Sequence, residues 1–184
     1  RRRSWRPAGM KQHLVLVLCL AATGCTALPE SYAPPIQRRP ITALDPNSLS
    51  EFVYMNQTNA EAHLLLDVSK HLEGNSWRWT QKKPTFRFQL QSVNGRKFRL
   101  DFRLHETILE QTGPLTITVS VDGNVLGRET YRNAGEYRFE KPVPPEWLSL
   151  DRAVIVAVEL DKAWVSPTDG ATLGLILTGA GFIE

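Results

Sequence analysis

Cysteine is almost missing from this chain of 184 residues: there are two, Cys19 and Cys25. Both stand at the start, so everything from Thr26 onward is free of thiols, which excludes disulfides and cysteine-ligated metals there. Long apolar runs are missing too. The run from Leu14 to Ala22 falls well short of the roughly 20 residues a helix needs to cross a bilayer, so a removable export signal fits it better than a permanent span. Catalytic signatures are scarce: there is no Gly-x-Ser-x-Gly elbow and no phosphate-cradling glycine loop, and His105-Glu106 lacks the second histidine of a zinc-binding helix. His63, His71 and His105 lack ligand spacing and read as surface or hydrogen-bonded histidines, so neither metal nor cofactor is expected. No amphipathic helical pattern is sustained and no internal repeat is visible, which argues against α/β, propeller and solenoid architectures.

Positive charge is scarcer than the formal net of +3 suggests. Arg1, Arg2, Arg3, Arg6 and Lys11 all precede Cys25 and no acid does, so without residues 1 to 24 the balance is 17 Lys+Arg against 19 Asp+Glu, near −2. A nucleic-acid partner, which needs a basic surface on the folded domain, is therefore not expected.

What is present begins with Met10-Lys11-Gln12-His13, a short basic lead, then the apolar run, then Ala22-Thr23-Gly24-Cys25. The last four residues resemble the lipobox of bacterial lipoproteins, with Ala22 where Leu is usual. The resemblance implies cleavage before Cys25 and lipidation of its thiol; an ordinary signal peptide ending near a cysteine is the alternative. The residues before Met10 are expected to lie upstream of the true start. The expected organisation is a signal peptide over 1–24, lipidated Cys25 with a linker to residue 50, and a folded domain over 51–184. Pro29, Pro34, Pro35, Pro40 and Pro46 make the linker extended, because proline disfavours both helix and sheet pairing. The expected location is the bacterial cell envelope, held to a membrane by lipid. Thr26, rather than the aspartate that commonly signals retention, favours the outer membrane where there are two.

From residue 85 onward the pattern has period two, which places alternate side chains on opposite faces of a strand. Phe86, Phe88 and Leu90 form one apolar face, and Phe98, Leu100, Phe102 and Leu104 another, with Asn94-Gly95 between them; the expectation is a hairpin. A second hairpin is expected where Leu115, Ile117, Val119 and Val121 lead into Asp122-Gly123. Tyr137 and Phe139 mark a short strand that Pro142, Pro144 and Pro145 end. Ala153 to Leu160 and Leu173 to Thr178 read as central strands, with Phe182 and Ile183 closing the core. For Ala62 to Val68 a strand is favoured over a helical turn. The fold class that follows is all-β, an antiparallel β-sandwich of jelly-roll type.

The candidate ligand residues are aromatic. Indole rings stack on the apolar faces of sugars and a guanidinium bonds hydroxyls or carboxylates, so Trp77-Arg78-Trp79 reads either as a ligand platform or as core with Arg78 paired to an acid. Trp164 and Asp169, in a loop between apolar strands, form a second candidate: a stacking ring with a hydroxyl acceptor. Trp147 is expected to plug one end of the sandwich. Glu159, Asp161 and Asp169 lie near one another in sequence, as a glycosidase pair would need, yet Glu159 and Asp161 share a face expected to be solvated. No catalytic residue is assigned.

The order Trp77-Arg78-Trp79-Thr80, Gly113-Pro114, Asp122-Gly123, Pro142 to Pro144, Ser166-Pro-Thr-Asp-Gly170, Leu173-Gly174-Leu-Ile-Leu177 and Gly181-Phe182 resembles a β-sandwich module of uncharacterised bacterial envelope proteins. The same module stands beside some glycosyltransferase domains and is similar to galactose-binding-type jelly rolls. The resemblance spans about residues 60 to 184 and implies a non-catalytic role binding envelope glycan or assisting a glycan-handling partner. A structural lipoprotein that docks another envelope protein is the alternative, and a glycoside hydrolase a third.

Overall fold

The computed structural model describes residues 48–184; the expected export signal, Cys25 and most of the proline-rich linker lie outside the described residues. The strands are β1 (Phe52–Tyr54), β2 (Leu64–Val68), β3 (Arg78–Phe88), β4 (Lys97–Leu104), β5 (Leu115–Val121), β6 (Asn124–Tyr131), β7 (Gly135–Pro142), β8 (Val154–Leu160), β9 (Trp164–Val165), β10 (Thr172–Leu173) and β11 (Ile176–Ile183). Two short helices, α1 (Ala60–His63) and α2 (Glu106–Thr112), interrupt them. Among the described residues no helix is long and apolar enough to cross a membrane.

The strands form an antiparallel β-sandwich. The first sheet runs β7-β4-β11-β1 and the second β2-β3-β8-β5-β6. β3 serves both, because Arg78 and Trp79 pair with β11 while Thr85 to Phe88 pair with β8. The chain changes sheet between β1 and β2, β3 and β4, β4 and β5, β6 and β7, β7 and β8, and again before β11, which is the winding of a jelly roll.

The alternating residues fill the core as the sequence predicts. Phe98, Leu100, Phe102 and Leu104 face inward from the first sheet, against Phe86, Phe88, Val154, Val156 and Val158 from the second. Phe88 meets Phe98 at 6.4 Å and Phe182 at 5.7 Å between ring centroids, both edge-on, the arrangement that aromatic quadrupoles favour. Trp147, in a 3-10 turn over Pro145–Trp147, packs half-buried against this core.

The Asp122-Gly123 hairpin joins β5 to β6 as expected, with φ of 45° and 85° at its two corner residues, the positive values such a turn needs. The expected Asn94-Gly95 hairpin is not formed. Gly95 does turn the chain with φ of 68°, but β3 pairs with β2, β8 and β11, and β4 pairs with β11 and β7. The connection is an arch between sheets, and it lets Phe88 and Phe98 meet across the core. Buried Arg96 pins it, donating to the carbonyl of Ser92 at 3.0 Å and to Glu51 at 2.8 Å.

Two further expectations are corrected. Ala62 and His63 belong to α1, and the strand begins only at Leu64. Leu173 to Thr178 is not one strand: Gly174 separates β10 from β11 and donates to the carbonyl of Thr80 at 2.7 Å. A Cβ at Gly174 would lie 2.3 Å from the carbonyl oxygen of Gln81, so only glycine permits this approach.

His63 is fully buried and ties the start of the domain to β3. Its Nδ1 lies 2.9 Å from the carbonyl of Arg87, and its Nε2 lies 3.1 Å from the Ser50 hydroxyl. Burial holds its pKa below the usual 6.5, with the nearby Arg87 charge adding to that and the backbone hydrogen bond opposing it. The unfolded chain therefore binds this proton more readily. The His63 contribution to stability is complete above pH 6.5 and is lost as pH falls through the lower folded value. Melting temperature is expected to drop between neutral pH and pH about 5 in the native chain, and less steeply in His63→Gln.

Candidate functional site

The outer face of the first sheet carries a groove of about 720 Å³. Register places its residues in rows across the strands. Trp79 lies beside Ile176, Ile176 beside Arg103, and Arg103 beside Glu136. One row along, Asp101 lies beside Arg138. Four strands at the usual spacing make this floor roughly 14 Å across. Trp77 and Trp79 form one side, where β3 leaves for the second sheet, and Glu136 and Arg138 the other.

The two tryptophans are half-buried and pack edge to face, with centroids 5.5 Å apart. Neither indole N–H has a hydrogen-bond partner among the described residues. His105 stands beside Trp79 at 6.2 Å and caps α2, its Nδ1 accepting from the Thr107 N–H at 3.2 Å. In the neutral ring that leaves the proton on Nε2, available as a donor.

The charged groups differ in how committed they are. Asp101 accepts from Arg99 and from Arg138 Nε, the latter at 2.8 Å. Burial pushes its pKa up, but the hydrogen bonds and charges of the two guanidinium groups outweigh this and hold it below 3.8. Asp101 is thus ionised and saturated at neutral pH. Arg103 and Glu136 are exposed, and neither side chain has a hydrogen bond or ion pair among the described residues.

The tryptophans expected as ligand residues therefore come together in this groove. Arg78 does not join them: period two turns it to the other face, where it is 5 % exposed and donates to the carbonyls of Ser69 and Lys70. Glu61 lies 3.7 Å away as its ion-pair partner.

The second expected site lies elsewhere. Trp164 is half-buried in β9, opposite Leu173 of β10. Asp169 is exposed, its pKa lowered first by the Ser166 hydroxyl and then by the Ala171 N–H at 3.1 Å, so it closes its own turn. Neither lines the groove. The three carboxylates considered for hydrolysis are likewise engaged locally. Glu159 pairs with Lys83 at 3.2 Å, and Asp161 accepts from the Thr116 N–H at 2.8 Å. Among the described residues no three metal-capable side chains cluster.

Sequence reasoning missed Asp101, Arg103, Glu136 and Arg138 as groove residues. The alternation assigned each of them to a solvent face, and a signal was present in the run Arg99, Asp101, Arg103 and His105 along one face of β4. What it lacked was the register that sets that face beside Trp79.

No family model and no curated protein matches the sequence. Among solved structures, an exo-β-1,3-galactanase of Phanerochaete chrysosporium shares 10% identity at a TM-score of 0.39, covering 74% of this chain and 29% of that one. The CBM51-2 and INT domains of Clostridium perfringens ZmpB, in complex with GlcNAc, share 12% at a TM-score of 0.36, covering 73% and 28%. The chain thus spans less than a third of the length of either structure. Likenesses of that size bear on neither the ligand nor the site.

Proposed function

We propose that this chain is a bacterial envelope lipoprotein, anchored through Cys25, whose β-sandwich binds glycan in the groove of the first sheet. The observation that carries the reading is the half-exposed pair Trp77 and Trp79 beside uncommitted polar groups. A concave site with apolar faces for sugar rings and a few free donors and acceptors for hydroxyls suits an oligosaccharide. Binding rather than hydrolysis is favoured, because among the described residues Asp101 is saturated by two arginines and Glu136 is the one free carboxylate in the groove, whereas glycosidases use two. A glycan array probed with the full chain tests this reading. Binding to a structurally related set of glycans is expected, and an array without a single binder rejects it.

Lipid anchoring has its own test. Cys25→Ser is expected to release the protein from the membrane fraction and to abolish incorporation of a palmitate label. Unchanged fractionation and labelling would reject the anchor.

The docking alternative has one observation in its favour. Among the described residues β2 pairs only with β3, and it presents Leu65 and Leu66 at 41% and 64% exposure beside a smaller pocket of about 310 Å³. An edge strand with exposed leucines can receive a partner strand. Leu66→Lys would then disrupt a pull-down that Trp79→Ala leaves intact.

A further inference from the structure

We infer that the groove takes a glycan bearing a carboxylate, a uronic acid whose charge is held by Arg103 with Arg138 alongside. The inference rests on the glycan-binding reading and narrows its ligand class.

Arg103 projects from the centre of the groove floor, its whole guanidinium fork unused among the described residues. A planar fork matches a carboxylate through two parallel charge-assisted hydrogen bonds, a geometry that a lone hydroxyl cannot satisfy. Arg138, in the next row, spends its Nε on Asp101 and among the described residues keeps both terminal nitrogens free. Asp101 is shared by Arg99 and Arg138, so those three groups together carry one net positive charge. Among the charged groups that line the groove, Arg103 and Arg138 balance Asp101 and Glu136, so what favours an anion is the unused guanidinium N–H donors and not an excess of charge.

Glu136 has a part in the same geometry. It lies across from Arg103 in register and is unpaired among the described residues, so it can accept from a ring hydroxyl adjacent to the bound carboxylate. A uronic acid offers both groups on one ring, and Trp79 offers that ring, or the next one, an apolar face. A neutral sugar would satisfy Glu136 but would give the Arg103 fork no carboxylate to match.

The experiment titrates the full chain in detergent with α-1,4-linked trigalacturonate and with the same trisaccharide after reduction of its carboxylates to alcohols. The acidic form is expected to bind about tenfold or more tightly at low salt, with the preference collapsing at about 0.5 M NaCl. Arg103→Ala is expected to erase the preference, bringing the two forms to similar affinity, while Glu136→Gln keeps or enlarges it. Equal binding of both forms to the native chain would overturn the inference and leave the glycan-binding reading standing. A preference that survives Arg103→Ala unchanged would overturn the assignment to this groove. Absence of binding to either form would overturn the inference, and combined with an empty glycan array it would overturn both.

Discussion

Phe88→Ala lowers the free energy of unfolding by about 3 to 5 kcal/mol, the largest stability loss expected of any single truncation discussed for this domain. The ring is fully buried at the point where the two sheets meet, touching Phe86, Phe98, Phe182 and His63. Its removal forfeits the transfer of a large apolar side chain and leaves a void that β-strands, fixed by their ladders, cannot close. Against a typical stability of about 5 to 15 kcal/mol the loss is large enough to populate the unfolded state at 37 °C. Phe88→Leu, which refills most of the volume, should cost less than half as much. Urea unfolding followed by circular dichroism measures both. A loss for Phe88→Ala of under about 1 kcal/mol would mean that the arch and the core are not as described.

Trp79→Ala is expected to weaken glycan binding by roughly 30- to 100-fold, the range typical of a buried aromatic anchor in an interface. The same change should cost only about 1 kcal/mol of stability, because the ring is half-buried on the outer face of the first sheet and outside the phenylalanine cluster. The contrast with Phe88 gives the prediction its content: one aromatic holds the fold, and the other holds the ligand. Titration calorimetry and thermal melts on the same preparations measure the two quantities together. A stability loss of about 3 kcal/mol or more would make Trp79 a packing residue.

The difference between what the sequence reveals and what it hides follows from how strands pair. Alternation identifies which side of a strand is apolar, so the inward residues of β4 and β5 were legible before the fold was known, whereas β8, apolar on both sides and read as covered on both, buries only alternate residues fully. The Asp122-Gly123 turn was legible for a local reason, since two consecutive positive φ values favour those residue types. The β3 to β4 connection was not. An Asn-Gly corner and two apolar flanks suit a hairpin or an arch equally, and only the non-local pairings of β3 with β8 and of β4 with β11 and β7 decide between them. The groove was hidden for the same reason. Trp79 and Arg103 are far apart in sequence and become neighbours only through Ile176, a residue of the last strand that carries no polar chemistry.

The most direct measurement of the central claim uses the tryptophan side chains as reporters. In the nitrogen-proton NMR spectrum of the labelled full chain, the indole signals of Trp77, Trp79, Trp147 and Trp164 can each be assigned by single substitution and followed as an array-identified glycan is added. Binding in the groove of the first sheet predicts that the Trp77 and Trp79 signals shift and saturate together, while those of Trp147 and Trp164 stay in place. Movement of Trp164 alone would put the ligand at the loop from Trp164 to Gly170, and no movement of Trp77 or Trp79 at saturating glycan would contradict the groove as the binding site.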